Sequence, residues 1–411
     1  MTIVFDRPYE FVPPDRSNIG PWVIQRLRLV DRYLARKEGV LAHECRHWQK
    51  LKASTDAGHG VMLAPNHSRY ADPLAMGWPG RYASVNFFAV ASWHLFNKGW
   101  FDSFAMRKCG GFSLHREGMD RKSLETSIEC MAQAQRALIL FPEGQTFRTN
   151  DIVRDLLDGA TFIARSAARR RAKQHGGKVV VHPVGIKYYC MENIESWAGE
   201  QLTQMERMFG WRRTQSGSLS QRLTRVSESI LRLQEIQYLG DVQSGANGSG
   251  GSPPSESTDE RRVSLAKQVI RQVEERLELP VNDEDDIGTR SRPIRTKISS
   301  KYFELANDSP ERVKLRDDDF MTDVAHWLNS YSDSYFAADV VTDSRIVETI
   351  QRFQEFLIGK ANRKFPLKAV LEVGDPIEVP AKKAPRGEAD PLSKEIHAGI
   401  TEIVDRLVAQ A

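Results

Sequence analysis

The sequence predicts an α/β fold: a mixed, largely parallel sheet flanked by helices, with a long, mostly helical insertion before the last strand. Three observations carry this expectation. Apolar runs of strand length, GVMLAP (60–65), SVNFFAVA (84–91), ALILFPEG (137–144) and KVVVHPVGIKYY (178–189), alternate with segments of helical periodicity. Runs so short and so apolar suit strands covered on both faces, as in a parallel sheet. From 190 to 360 charge and helical spacing dominate, and the strand-like LKAVLEVGDPIEV (367–379) follows only after them.

Taken in order, residues 21–52 read as helical, with Trp22, Val23, Leu27, Val30 and Leu34 at helical spacing. GVMLAP is the first strand and runs into the loop APNHSRYADP (64–73). Asp72-Pro73 has the signature of a helix start, with aspartate as N-cap and proline at the first helical position. After SVNFFAVA a helical stretch leads into CGGFSLHREG (109–118), and SLETSIECMAQAQRA (123–137) predicts a helix capped by Ser123. ALILF is a strand that breaks at Pro142 and Gly144, and a helix is expected over about 155–174. Further helices are expected near 216–239, 260–279, 311–329 and 343–359, with DVQSGANGSGGSPPSESTDE (241–260) as a poorly ordered loop. PLSKEIHAGITEIVDRLVAQ (391–410) closes the chain as a helix. The expected organisation is an N-terminal helical segment (1–54), an α/β core (55–190), a helical insertion (191–364) and a closing strand and helix (365–411).

Composition narrows the partners. The 411 residues are 40% hydrophobic and 27% charged, as in soluble globular proteins, and the net charge of +4 calls for no nucleic-acid partner. No run approaches the ~20 apolar residues of a spanning helix. MTIVFDRPYEFVPP (1–14) shows no basic start leading into a sustained apolar stretch, so no secretory signal is expected. Cys45, Cys109, Cys130 and Cys190 form no CxxC pair and read as reduced thiols of a cytoplasmic protein.

HECRH (43–47) formally matches a zinc-peptidase pattern, two imidazoles on one helix face. A zinc hydrolase built on His43 and His47 is therefore one alternative. Arg46 beside the metal and Lys50 at a position that favours glycine weigh against it, and an amphipathic helix with solvent-facing histidines is the plainer reading. There is no G-x-S-x-G nucleophile elbow. His67 and Asp72 lie five residues apart, about 500° of helical turn, so they meet only if the loop folds back. If it does, the carboxylate fixes the imidazole's tautomer and raises the basicity of its other nitrogen. If not, Asp72 is a cap and His67 a loop histidine. FPEGQTFR (141–148) puts Glu143 and Gly144 at a strand's C-terminal edge, where α/β sheets build sites. Within GGFSLHREG (110–118), Arg116 could hold a phosphate through a bidentate contact, and VHPVG (181–185) ends a further strand with a proline.

These four blocks, in this order, resemble those of the glycerolipid acyltransferase family, which includes glycerol-3-phosphate and lysophosphatidic acid acyltransferases. NHSRYAD (66–72) resembles the NHxxxxD block, GGFSLHREG the second, FPEGQTFR the FPEG block and VHPVGI (181–186) the fourth. The resemblance covers about 55–190 and 365–411 and leaves most of the insertion outside. It implies His67 as general base, Asp72 as its orienting partner and Asn66 within the substrate-binding block. It also implies Arg116 on the acceptor's phosphate, Glu143 and Gly144 shaping the acceptor site, and Pro183 lining the acyl pocket. One departure stands out. The family follows FPEG with Thr-Arg-Ser, whereas Gln145, Thr146 and Phe147 follow here and the arginine comes later, at Arg148. Arg148 then reaches the same phosphate from a shifted position, or the acceptor is not a simple glycerol phosphate.

The implied reaction is O-acyl transfer from acyl-CoA or acyl carrier protein to a lysophospholipid or glycerol phosphate, without metal, further cofactor or acyl-enzyme. The implied location is the inner face of the cytoplasmic membrane, peripherally bound. Two stretches suit a lipid surface: SWHLFNKGWFDSFAMRK (92–108), with Trp93, Phe96, Trp100 and Phe101 beside Lys98, Arg107 and Lys108, and the basic ARSAARRRAKQHGGK (164–178). Core aromatics and a solvated helix face are the respective plain readings. A non-catalytic lipid-binding protein on the same scaffold is a further alternative.

Overall fold

The computed structural model describes residues 5, 7–97, 99–118, 120–212, 216–240, 257–382 and 390–410, with backbone alone at 101–102. The contacts divide the chain into an α/β unit (Tyr9–His115, Met119–Asn193, Asn362–Ala411) and a helical unit (Met1–Pro8, Arg116–Gly118, Ile194–Ala361).

The α/β unit begins with helices α1 (Ile19–Arg26) and α2 (Leu29–Glu38), strand β1 (Val40–Arg46), helix α3 (Trp48–Asp56) and strand β2 (Gly60–Pro65). Short helices α4 (Asp72–Ala75) and α5 (Gly77–Ala83) precede β3 (Phe87–Ser92), α6 (Trp100–Lys108) and β4 (Gly111–Leu114). Then come α7 (Arg121–Gln133), β5 (Ala137–Ile139), α8 (Asp158–Gln174) and the long β6 (Val179–Cys190). The helical unit supplies α9 (Glu195–Met208), α10 (Leu219–Leu239), α11 (Thr258–Arg276), α12 (Ile287–Glu304), α13 (Glu311–Leu328) and α14 (Asp343–Ile358). The chain returns with β7 (Leu367–Val373), β8 (Ile377–Glu378) and α15 (Pro391–Val408).

The sheet is mixed and mostly parallel, in the order β1-β7-β6-β2-β5-β3-β4, with β8 pairing β6. From β6 to β4 every pairing is parallel, whereas β7 runs antiparallel to β6 and parallel to β1. Apolar strand residues such as Met62, Leu138 and Val181 pack on Ile128 and Met131 of α7, Ile163 of α8, and Ile396 and Ile400 of α15. Strands buried from both sides have no polar face to show, which is why they read as unbroken apolar runs.

In the helical unit, Leu265, Val269 and Val273 form one stripe of α11, packing with Ile294 and Ile298 of α12 and Val324 and Leu328 of α13. Capping boxes at Ser218/Gln221 and Ser257/Glu260 start α10 and α11. Of the loop expected over 241–260, residues 241–256 lie outside the described residues, and 257–260 form the cap and first turn of α11.

Several expectations are corrected. Residues 21–52 are not one helix. Gly39, at φ +71°, ends α2 where a Cβ would lie 2.3 Å from the Phe365 carbonyl oxygen, and β1 then pairs parallel with β7, with one register shift between Val40 and Ala42. HECRH therefore lies on and just after a strand, not on a helix face. His43 is a residue of β1, and His47 lies beyond its end as the N-cap of α3. His43 stacks on Trp78 at 4.2 Å, and His47 Nδ1 lies 3.4 Å from Glu372. Asp120, not Ser123, caps α7, accepting from the Ser123 N–H at 3.0 Å. The strand expected from Ser84 begins at Phe87, because Ser84 ends α5 in the left-handed region at φ +57°. Helices α9 and α12 were not anticipated, and α12 carries Pro293 inside it.

Candidate active site

Parallel pairing of β2 with β5 brings the two loops at their C-terminal ends together. The loop after β2 carries residues 66–71, and the loop after β5 carries 140–157. The Phe147 N–H donates to the His67 carbonyl at 3.4 Å, joining them.

Asp72 does not act as N-cap of α4, a place taken by Ala71. Its carboxylate, fully buried, turns back into the loop. Oδ2 accepts from the Arg69 N–H at 2.7 Å and lies 3.0 Å from His67 Nδ1, while Oδ1 accepts from the Tyr188 hydroxyl at 2.6 Å. Burial, reinforced by the Asp72 charge, raises the Tyr188 phenol well above its usual range, so it stays a donor. An acceptor-only carboxylate at this distance assigns the proton to Nδ1 and leaves a lone pair on Nε2. The Thr146 hydroxyl donates to that Nε2 at 2.9 Å. The ring, about one-tenth exposed, packs on Phe141 with centroids 4.2 Å apart.

Tyr188 reaches Asp72 because β6 runs past the end of β2, whose ladder with it stops at Pro65↔Val184. Two buried asparagines take up the strand's unpaired edge. The Asn66 amide donates to the Ile186 carbonyl at 3.0 Å and its oxygen accepts from the Ile186 N–H at 2.7 Å. Asn150 does the same for Tyr188, at 3.0 and 3.1 Å. Each side chain thus stands in for a missing strand residue and satisfies buried backbone groups that no neighbour would otherwise pair.

Glu143 is buried and turned inward. Its Oε1 accepts from the His67 N–H at 2.8 Å and Oε2 from the Arg154 N–H at 3.3 Å. Burial pushes its carboxyl up to about 8, against the two backbone donors, and the neighbouring Asp72 charge adds to the rise. Gly144 adopts φ +75°, and a Cβ there would meet Leu157 Cδ1 at 2.3 Å. Arg148 is left-handed at φ +53° and buried, its guanidinium 4.9 Å from the Tyr70 ring centre. Arg363, from the segment before β7, lies 5.1 Å from the same ring and pairs with Glu38 at 2.9 Å.

The structure gathers His67, Asp72, Asn66, Glu143, Gly144 and Arg148 at one end of β2 and β5. Arg116 and Pro183 are placed elsewhere. Arg116 follows β4, the far edge strand, with β3 and β5 between β4 and β2. It groups with the helical unit, where desolvation lowers its guanidinium to about 10, opposed by Glu117 and assisted by Arg295. Pro183 lies inside β6 under α15, so close that a Cβ on Gly399 would come within 2.7 Å of its Cγ.

Sequence reasoning missed Thr146 as a partner of the base, and it missed Tyr188, Tyr70 and Arg363. Thr146 stood inside FPEGQTFR and could have been noticed. Arg363 lies nearly 300 residues from Tyr70 (363 against 70) and left no local signal.

Compared with known families, residues 44–187 match the family model described as Acyltransferase. No curated protein matches the chain.

The Glu143 environment generates a stability prediction. A carboxyl raised from 4.5 to about 8 on folding binds more protons folded than unfolded, so its contribution is full below pH 4.5 and is lost as pH rises through about 8. Glu143→Gln keeps an acceptor for the His67 N–H and removes this titration. Calorimetric Tm should then fall less steeply for the variant than for wild type between about pH 5 and about pH 9. Parallel curves would contradict the assignment.

Proposed function

We propose that the protein, whose residues 44–187 match the family model described as Acyltransferase, is an O-acyltransferase with His67 as its general base. The domain's general chemistry is acyl transfer. The proposed donor is acyl-CoA or acyl carrier protein, and the proposed acceptor is the hydroxyl of a lysophospholipid or glycerol phosphate. The observation that carries the reading is the buried Asp72 carboxylate 3.0 Å from His67 Nδ1, with Nε2 turned toward the loop after β5.

An alcohol's pKa lies far above 7, so its attack on a thioester is slow unless a base takes the proton during attack. His67 Nε2 takes that proton as the oxygen adds to the thioester carbonyl. Asp72 stabilises the imidazolium that forms. When the C–S bond breaks, the leaving thiolate recovers the proton. Asn66 and Glu143 touch no reacting atom in this scheme: they fix the His67 loop against β6 and the loop after β5. Arg148, held against Tyr70 three residues from His67, is proposed to take the acceptor's phosphate. For Arg116 and Pro183 the proposed phosphate and acyl-chain roles rest on motif order alone. The acyl donor is the sole co-substrate the scheme requires.

An acceptor with one acyl chain resides in a membrane, and no helix among the described residues is long and apolar enough to cross one. We therefore propose peripheral docking at the inner membrane face through α1 and α6, which pack where Gly20 meets the Lys108 backbone. Their surface shows Ile19, Trp22, Trp100 and Phe104, with Trp100 81% exposed, and Lys108 lies over the Phe104 ring at 5.6 Å. Exposed aromatics beside cations suit an anionic bilayer interface. Trp93 and Phe96, from the same stretch, are core residues, while Lys98 and the Phe101 side chain lie outside the described set. Three arginines of the basic run of α8 are committed within the α/β unit: Arg165 to Asp390, Arg170 to Glu125, and Arg171 to the carbonyls of Ala132 and Gly58.

Two measurements test these readings. With labelled acyl-CoA or acyl carrier protein and a panel of lysolipids, wild type should transfer and His67→Ala should lose ~10²–10⁴ in kcat/KM. Equal rates would refute the mechanism. In co-sedimentation with phosphatidylcholine vesicles containing about one-third phosphatidylglycerol, the Trp22→Ala/Trp100→Ala double variant should bind at least about tenfold more weakly than wild type. Unchanged binding would remove α1 and α6 from the docking surface.

A further inference from the structure

The nitrogen that must receive the acceptor's proton is already occupied. Thr146 Oγ1 lies 2.9 Å from His67 Nε2. The position is held by the backbone: Gly144 at φ +75° and Arg148 at φ +53° bend the loop on either side of Thr146, and Phe147 N–H ties the loop to the His67 carbonyl. With the Nδ1 proton directed at Asp72, Nε2 offers only a lone pair, so the threonine hydroxyl is the donor in this contact.

A base beside a thioester has a competing reaction. If water sits on Nε2, His67 takes a proton from it as the water oxygen adds to the thioester carbonyl. The C–S bond then breaks, and the leaving thiolate recovers the proton, giving fatty acid and thiol. The place such a water would need is the place Thr146 Oγ1 fills. Resting on the acyl-transfer reading above, we propose that Thr146 is a specificity-determining positioning residue that reserves Nε2 for an alcohol and suppresses hydrolysis of the acyl donor. Both water and an acceptor hydroxyl must displace the same hydrogen bond. An acceptor brings binding energy from its headgroup and chain to that displacement, whereas a single water brings none.

The test uses full-length protein with acyl-CoA, with and without lysophosphatidic acid, and follows thiol release and acylated product separately. Thr146→Ala and Thr146→Gly open the position. Each should raise the ratio of hydrolysis to transfer about tenfold, the equivalent of one lost hydrogen bond. Thr146→Ser keeps the hydroxyl and should keep the wild-type ratio. Adding His67→Ala to Thr146→Ala should abolish the extra hydrolysis, which separates base-driven hydrolysis from a loosened loop. An unchanged ratio in both opening variants, with wild type active, overturns this inference alone. So does an acyl ester on Thr146 trapped by acid quench and mass spectrometry, which would make Thr146 the nucleophile of a double displacement. Wild type that transfers to no acceptor overturns the acyl-transfer reading and this inference with it.

Discussion

A carboxylate with no solvent exposure is tolerable only where donors surround it, and that requirement at Asp72 organises everything near it. Three donors converge: a backbone N–H from its own loop, an imidazole five residues back, and a phenol from β6. Meeting all three folds residues 67–72 into a reversal, which a helical or extended path would not give. It also settles which imidazole nitrogen carries the proton. The role proposed for His67 is thus a by-product of satisfying one buried charge.

The rest of the α/β unit supplies what that charge needs. Tyr188 can approach only because β6 extends beyond β2, and that extension is possible because Asn66 and Asn150 complete its hydrogen bonding. Glu143 then pins the His67 backbone from the side of β5, burying a second carboxyl beside the first. Its raised pKa reflects chiefly the burial of the carboxyl, to which the Asp72 charge adds, and the two N–H donors it receives oppose that rise.

The sheet was readable because strands buried on both faces are apolar along most of their length, as GVMLAP is throughout and VVVHPVGI is but for His182. Strand β1 was not, since its partner β7 lies over 300 residues later (40 against 367) and VLAHECR is mixed in polarity. His67 and Asp72 were legible as a pair only on the condition that residues 68–71 fold back, and the helix start that follows lies one residue earlier than the Asp72-Pro73 signature indicated. Arg148 was readable from the FPEG block. The donors from Tyr188 and Asn150 were not, because their roles come from how far β6 extends and how the loop after β5 bends, neither of which has a local pattern.

The proposed base catalysis depends on His67 holding its proton on Nδ1, toward Asp72, so that Nε2 keeps the lone pair to which Thr146 donates and which an acceptor's proton would take. Long-range ¹H–¹⁵N correlation of the uniformly ¹⁵N-labelled protein reports the two ring nitrogens separately. A protonated Nδ1 and a lone-pair Nε2 are expected in the neutral ring. A neutral ring with its proton on Nε2 would contradict the proposal.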